Sequence, residues 1–378
     1  MKQKVKKVSK WILAVVLAYV IVLVGGFFGI KYGLTNTAGI VDGENNYFQK
    51  SENQISRMQK VEGVSTENAK VDQLKNLNDC QIAAIGQYYP ANAQKIIAAY
   101  QETNSDPLIA KMILAVDLRM LDNPDFQKKY AACQTESYAE NNSESLDTLA
   151  QKFPENSSQN VFPWMNRSEW QTIAAATIKD KDAIDKAGKS AGVEPRMIVA
   201  CMIVEQLRLF NSEREVFKKV FEPLKILGNA DQISLGVMGV KQQTAEKIEN
   251  NLKDQSSPYY LGQQYEHLLD YLPGTTDINQ ARFARLTDES DNHYYSYLYG
   301  ALYLREMLEQ WRRSGFNIQY RMEIVGTLFN VGFPQSKPNP DPKVGGSSID
   351  VGDGKYSFGS LAYEFYYSGE LTDEFPYK

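Results

Sequence analysis

Histidine and cysteine are scarce in this chain of 378 residues, which has two histidines and three cysteines. His267 and His293 supply too little material for a histidine-based metal site or a histidine-dependent catalytic triad. No cysteine and histidine spacing is typical of a zinc site, so we expect neither a metal ion nor a cofactor. Cys80 and Cys133 are candidates for a disulfide, and three unpaired thiols are the alternative.

Positive charge is also scarce outside the first ten residues. The formal net charge is −5, and five lysines lie within residues 1–10, so the remaining 368 residues carry a charge of −10. A protein that binds nucleic acid through its phosphates needs a basic face, so this balance excludes a general nucleic-acid binder. With 43% hydrophobic and 23% charged residues, the chain has the composition of a globular protein rather than a fibrous one.

One long apolar run stands out against this background. Residues 11–30 contain no charged side chain, and as a helix they would span roughly 30 Å, the thickness of the hydrocarbon core. The lysines before this run predict a cytoplasmic amino terminus, with the bulk of the chain outside the cytoplasm. We therefore expect a single-pass membrane anchor. A cleaved signal peptide is the alternative, with a poor candidate cleavage site that ends at Ala38.

The rest of the sequence predicts a mainly α protein with helical periodicity and short polar linkers. After the basic segment and anchor, residues 1–31, we expect a juxtamembrane stalk (32–76), a small helical region with a linker (77–160), a main helical domain (161–335) and a carboxy-terminal extension (336–378). The main domain shows helical signals over residues 168–187, 195–210, 244–252, 294–313 and 320–330. In the extension, residues 349–358 predict a small β-hairpin with Asp353 and Gly354 at its turn.

The most informative segment leads to Glu205. Pro195 is suited to the first turn of a helix, and residues 197–204 are apolar on every side, which predicts a central, buried helix. Glu205 follows this run, and its side chain leaves the helix from an apolar face. Loss of water there disfavours the charged carboxylate and would raise its pKa, as a general acid requires. The alternative is a carboxylate that points into solvent or pairs with Arg208.

Two further segments carry glycines at places where a backbone must turn. Residues 234–245 read Ser-Leu-Gly-Val-Met-Gly-Val-Lys-Gln-Gln-Thr-Ala, in which two glycines around an apolar pair allow backbone to approach a ligand closely. Thr244 is a candidate cap of the helix that follows. Residues 326–332 read Gly-Thr-Leu-Phe-Asn-Val-Gly, and Gly332 is a helix stop.

Taken in order, these three segments resemble the superfamily of soluble lytic transglycosylases and goose-type lysozymes. The family pattern is a Glu at the end of a central apolar helix, a turn of the form Gly-Leu-Met-Gln-Ile-x-Pro-x-Thr-Ala, and a helix that finishes Tyr-Asn-x-Gly. The resemblance covers roughly residues 164–334. It implies a lysozyme-like domain with Glu205 as the catalytic residue. It also implies substrate-binding positions at Ser234, Gly236, Val237, Met238, Gly239, Phe329 and Asn330.

Three residues depart from the family pattern. Gly239 stands where the family has Gln, Gln206 follows the Glu where Ser is usual, and Phe329 replaces a Tyr whose hydroxyl helps to orient the catalytic Glu. Loss of that hydroxyl removes one hydrogen bond to the acid, which lowers or abolishes activity.

The resemblance implies a membrane-anchored enzyme that cleaves the glycan strands of peptidoglycan, and a lytic transglycosylase is the main expectation. A hydrolytic lysozyme would instead need a positioned water, often held by a second carboxylate, for which Glu213, Glu215 and Asp231 are candidates. The alternative for each of these acids is a solvated surface residue. The alternatives are an inactive lysozyme-like scaffold that binds glycan or a protein of an envelope assembly, and an unrelated helical interaction module. The sequence also has a tyrosine cluster that either lines a groove or packs inside the protein: Tyr294, Tyr295, Tyr297, Tyr299 and Tyr303.

Overall fold

The computed structural model describes residues 71–133, 145–153, 159–210, 234–288 and 292–378, together with residues 11, 17, 18, 21 and 25 of the amino-terminal run. The predicted anchor and stalk lie mostly outside these ranges, and Glu213, Glu215 and Asp231 lie wholly outside them. Within the described ranges, no helix combines the length and the apolar character that crossing a bilayer requires.

The protein is mainly helical, as predicted. The described α-helices are α1 (Val71–Gly86), α2 (Pro90–Thr103), α3 (Asp106–Arg119), α4 (Pro124–Ala132), α5 (Leu146–Lys152), α6 (Ser168–Lys179), α7 (Lys181–Ala191), α8 (Pro195–Phe210), α9 (Gln242–Lys253), α10 (Ile278–Thr287), α11 (Tyr294–Arg313), α12 (Met322–Val331) and α13 (Phe358–Tyr367). Short 3₁₀ turns lie at Pro163–Asn166, Gln263–Tyr265 and Phe333–Gln335. Two antiparallel ribbons complete the described elements: β1 (Ser234–Leu235) with β2 (Val240–Lys241), and β3 (Ser348–Asp350) with β4 (Lys355–Ser357).

Helices α1 to α4 form an amino-terminal unit that a disulfide closes. Cys80 of α1 is bonded to Cys133 at the end of α4, so the pairing that the sequence left open is present. Local caps explain where two of these helices begin, because Ser105 and Asn123 accept hydrogen bonds from the first turns of α3 and α4.

Helix α8 is the centre of the main domain. Every residue from Pro195 to Glu205 is buried, as expected for a helix that is apolar on all sides. Gly192, in the left-handed conformation with φ of 69°, ends α7 and lets the chain reverse into α8. Around α8 pack helices α6, α7, α11, α12 and α13.

The carboxy-terminal residues belong to the same core. The predicted hairpin is present as β3 and β4, with Val351 donating to the carbonyl of Gly354 across the turn at 3.0 Å. Helix α13, which the sequence pattern did not predict, packs along α12 and α8 and is buried over its whole length. Helix α13 therefore packs with the helices that surround α8.

Two further elements differ from the expectations. The stretch expected to be a polar linker contains α5, where Ser145 caps the first turn and Leu149 is buried. The single helix expected over residues 168–187 is broken at Asp180 into α6 and α7. The carboxylate of Asp180 accepts a hydrogen bond from Tyr297 and pairs with His293, both near the start of α11. These contacts are distant in sequence, so no local pattern predicts the break.

Candidate active site

Glu205 lies near the end of α8 and is only 4% exposed. Cys201, one turn earlier on the same helix, is fully buried. Burial raises the pKa of this thiol, and the neighbouring charge of Glu205 raises it further. The carboxylate therefore lies beside a neutral, apolar helix face, and the interpretation in which it points into solvent is wrong.

Arg208 forms an ion pair with Glu205. Its Nε atom donates to Oε2 of Glu205 at 3.0 Å, and its Nη2 atom donates to the same oxygen. From the sequence, this pairing is the alternative to a free acid. The structure combines both features, because the carboxylate is buried and also has a cationic partner.

The β1–β2 ribbon brings the second motif to the same place. Gly236 and Gly239 have φ values of 63° and 62°, and Gly239 donates a backbone hydrogen bond to Gly236 across the turn. A Cβ atom built on Gly239 would lie 2.7 Å from Oε2 of Glu205. No side chain fits there while the carboxylate keeps this position, so a glycine at 239 is what allows this close approach of Glu205.

Three contacts fix this turn against the helices. The side-chain amide of Gln206 donates to the carbonyl of Val237 at 2.7 Å. The backbone N–H of Met238 donates to Oγ of Ser296 on α11 at 3.3 Å. The Met238 side chain is fully buried against Gly300 of the same helix.

Gln206, Ser296 and Gly300 are site residues for which no sequence motif predicted a role. Gln206 was recognised only as a departure from the family, although its position next to Glu205 was a usable signal. Ser296 and Gly300 lie at the site because α11 packs against the turn, and no local sequence motif predicts this packing. Ser234 lies at the outer end of the ribbon, paired with Lys241.

The third motif, residues 326–332, packs into the core of the protein through the aromatic ring of Phe329. Phe329 is buried, with its ring centroid 5.3 Å from that of Tyr303 and 6.2 Å from that of Phe358. Phe333 packs against Tyr303 as well, at 4.6 Å. Burial raises the pKa of Tyr303 well above its usual range, so this phenol stays protonated.

Asn330 is engaged by the carboxy-terminal part of the chain. Its Oδ1 atom accepts hydrogen bonds from the backbone N–H of Ser347 at 2.7 Å and from the Ser347 hydroxyl at 3.0 Å. A Cβ atom on Gly346 would lie 3.0 Å from the same oxygen. The structure therefore brings Gly239 and the 237–238 backbone together around Glu205 and α8, whereas the side chain of Asn330 contacts residues 346–347.

The tyrosine cluster of α11 is mainly structural. Tyr297, Tyr299 and Tyr303 are buried, which confirms the packing interpretation for Tyr299 and Tyr303. The Tyr299 hydroxyl donates to Glu249. Burial acts to raise the pKa of Glu249, but hydrogen bonds from Arg282, Tyr271 and Tyr299 outweigh it and hold that pKa below its usual value.

No family model, curated protein or solved structure matches this chain. Among the residues that the structure describes, no group of three or more His, Cys, Asp or Glu side chains is arranged to hold a metal ion. The chemistry available at the site is therefore argued from its own groups: a buried carboxylate, a guanidinium that contacts one of its oxygens, and a glycine turn that leaves backbone next to it.

Proposed function

We propose that this protein is a membrane-anchored enzyme with a lysozyme-like domain that cleaves the glycan strands of peptidoglycan, and specifically a lytic transglycosylase. The observation that carries the proposal is the contact between Gly239 and Glu205. These residues belong to the first two motifs of the family resemblance and are far apart in sequence, yet the turn lies directly against the carboxylate. If the two short motifs matched the family by accident, there would be no reason to expect a contact between Gly239 and Glu205.

The chemistry needs one carboxyl group that first gives and then takes a proton. Glu205 in its acid form protonates the glycosidic oxygen between N-acetylmuramic acid and N-acetylglucosamine, and the bond to the anomeric carbon breaks. The resulting carboxylate then removes the proton from the 6-hydroxyl of the muramic acid, whose oxygen closes a 1,6-anhydro ring. No water molecule is consumed.

The predicted anchor is consistent with this substrate. An amino terminus held in the cytoplasm by the lysines of residues 1–10 would place the helical domain outside the membrane. The Cys80–Cys133 disulfide supports the same side, because disulfides persist in oxidising compartments.

The test is mass spectrometry of the fragments that the full chain, purified in mild detergent, releases from isolated peptidoglycan. We expect 1,6-anhydro products from the wild type and a loss of at least about 100-fold in Glu205→Gln, which keeps the shape of the side chain but cannot donate the same proton. Products with reducing ends would identify a hydrolase instead. No release by a folded wild-type protein would contradict an enzyme.

An inactive scaffold that binds glycan or an envelope protein is the second candidate. The contact between Asn330 and Ser347 favours it, because the amide oxygen of this third-motif residue is already occupied. Phe329 favours it too, since it offers no hydroxyl to the acid. A scaffold predicts that wild type and Glu205→Gln sediment equally with isolated peptidoglycan and that neither releases fragments.

A further inference from the structure

The Arg208–Glu205 pair is at odds with a simple general acid. A general acid needs its proton, whereas a guanidinium next to a carboxylate favours the charged form. We propose that Arg208 is a positioning residue that holds the Glu205 carboxylate against Gly239 and confines its activity to the acidic side of the pH range. This inference rests on the function proposed for the site.

The geometry concentrates both contacts on one oxygen atom. Two nitrogens of Arg208 donate to Oε2 of Glu205, and Oε2 is also the atom nearest to the position that a Cβ on Gly239 would take. The guanidinium and the glycine therefore define the carboxylate's position from two sides. A side chain at 239 and the Arg208 pair exclude each other unless the carboxylate moves.

Burial makes this pair different from an ordinary ion pair within a helix. The side chains of Arg208 and Glu205 are 13% and 5% exposed, so water and salt screen their attraction weakly. Arg312 and Glu309 on α11 have the same spacing of three residues, but the Arg312 side chain is 65% exposed. The second pair is therefore a matched control for the first.

Cys201, Tyr303 and Lys241 are ionisable residues of the described elements that pack around Glu205. The turn from Gly236 to Gly239 has no ionisable side chain, and burial raises the pKa of Cys201 and of Tyr303, which interacts with that thiol. Both groups are neutral at neutral pH. Lys241, the ionisable residue of β2, lies at the outer end of the ribbon opposite Ser234.

The experiment measures the rate of fragment release from isolated peptidoglycan between about pH 4 and pH 9, for the full chain in detergent. In the wild type we expect the rate to fall on the alkaline side as Glu205 loses its proton. Arg208→Met should move this alkaline limb upward by about one pH unit or more. Arg208→Lys keeps the positive charge without the two guanidinium donors and should return the alkaline limb most of the way to its wild-type position. Arg312→Met should leave the profile unchanged.

An alkaline limb that stays in place in a folded Arg208→Met variant would overturn the inference. An equal movement in Arg312→Met would also overturn it, because the effect would then come from net charge. These outcomes are distinct from failure of the proposed function, in which the wild type releases nothing at any pH.

If the wild type releases no fragments, the interaction between Arg208 and Glu205 is measured through the stability of the fold alone. The coupling between Arg208→Met and Glu205→Gln, measured by a double-mutant cycle of urea unfolding, should be present at neutral pH and vanish as the carboxylate is protonated on acidification. A coupling that is absent at neutral pH, or that persists unchanged at acidic pH, would contradict the inference.

Discussion

Gly239 shows how much of the site depends on one missing side chain. Its φ of 62° belongs to the left-handed region, and the space in which a Cβ would sit is taken by the Glu205 carboxylate. The residue is therefore required twice, once for the backbone and once for the close approach.

We predict that Gly239→Ala lowers the free energy of unfolding by about 1–2 kcal/mol from backbone strain, and also displaces the carboxylate and lowers fragment release at least about 10-fold. Urea unfolding and fragment release measure the two effects. Gly315→Ala is the control, because Gly315 has a φ of 85° with nothing within 4 Å of its Cβ position. Equal activity losses in both variants would show that strain alone is responsible.

Glu306 on α11 is a second buried acid, with a different environment. Asn251 donates to its Oε2 at 2.8 Å, and its Oε1 has no hydrogen-bond partner among the described residues. Burial raises the pKa of Glu306 well above the ordinary 4.5, and the hydrogen bond from Asn251 opposes this rise only partly. The folded protein therefore keeps a proton that the unfolded chain releases above about pH 4.5.

We predict that Glu306→Gln becomes more stable relative to the wild type as the pH rises from about 4.5 to 8. Below pH 4.5 both states of the wild type hold the proton and the two proteins differ little. Above it, each pH unit lowers wild-type stability by up to about 1.4 kcal/mol until the folded acid ionises. Urea unfolding at several pH values tests this, with Glu246→Gln on the exposed face of α9 as control. A stability difference that does not change with pH would refute it.

At the scale of elements, local pattern predicts the long helices of the main domain well. The signals over 195–210 and 294–313 correspond to α8 and α11 as observed, because Pro195 begins one and sustained apolar periodicity runs through both. The hairpin at 349–358 is likewise encoded by its own turn residues, with Gly352 supplying a φ of 93°.

The element that local pattern misses is α13, and Arg196 shows why. This fully buried side chain donates to the carbonyl oxygens of Tyr366, Glu370 and Phe375 at 2.9 to 3.1 Å. A buried guanidinium needs such acceptors, and the carboxy-terminal segment supplies them from about 170 residues away in sequence. A pairing at that distance in the chain leaves no periodic signal near either partner.

In the candidate site, too, some features could be predicted from local sequence and others depend on tertiary packing. Glu205 and the glycines of the turn were recognisable because each motif is short and local. The anchoring of the turn by Gln206 and Ser296, and the engagement of Asn330 by Ser347, arise when helices and the carboxy-terminal segment pack together. Sequence therefore predicts the candidate acid, whereas its positioning depends on contacts between distant elements.

At the scale of the whole molecule, the amino-terminal unit and the main domain are joined through α13. Arg119 of α3 makes a two-pronged ion pair with Glu364 of α13, with both distances between 2.7 and 2.8 Å. The indole N–H of Trp164 donates to the same carboxylate at 2.8 Å. The side chains of Arg119 and Glu364 are almost fully buried, so the disulfide-bonded unit is part of the structure that supports α8 and its acid.

The disulfide of this unit reports on which side of a membrane the molecule lies. We predict that Cys80 and Cys133 are oxidised in the full chain and reduced in a variant that lacks residues 1–31 and stays in the cytoplasm, because only the first would reach an oxidising compartment. The bond spans 53 residues, so its loss should lower the free energy of unfolding by up to about 4 kcal/mol. The reduced variant is therefore expected to melt earlier.

Alkylation with a thiol reagent that adds a large mass to each free cysteine measures the redox state directly in cell extracts. Cys201 is the internal control, since it is buried and should react only after unfolding in both forms. After denaturation the full chain should gain one mass increment and the truncated variant three. Three increments on the full chain would show that the domain lies in a reducing compartment. The domain would then have no access to peptidoglycan, and the proposed function would be contradicted.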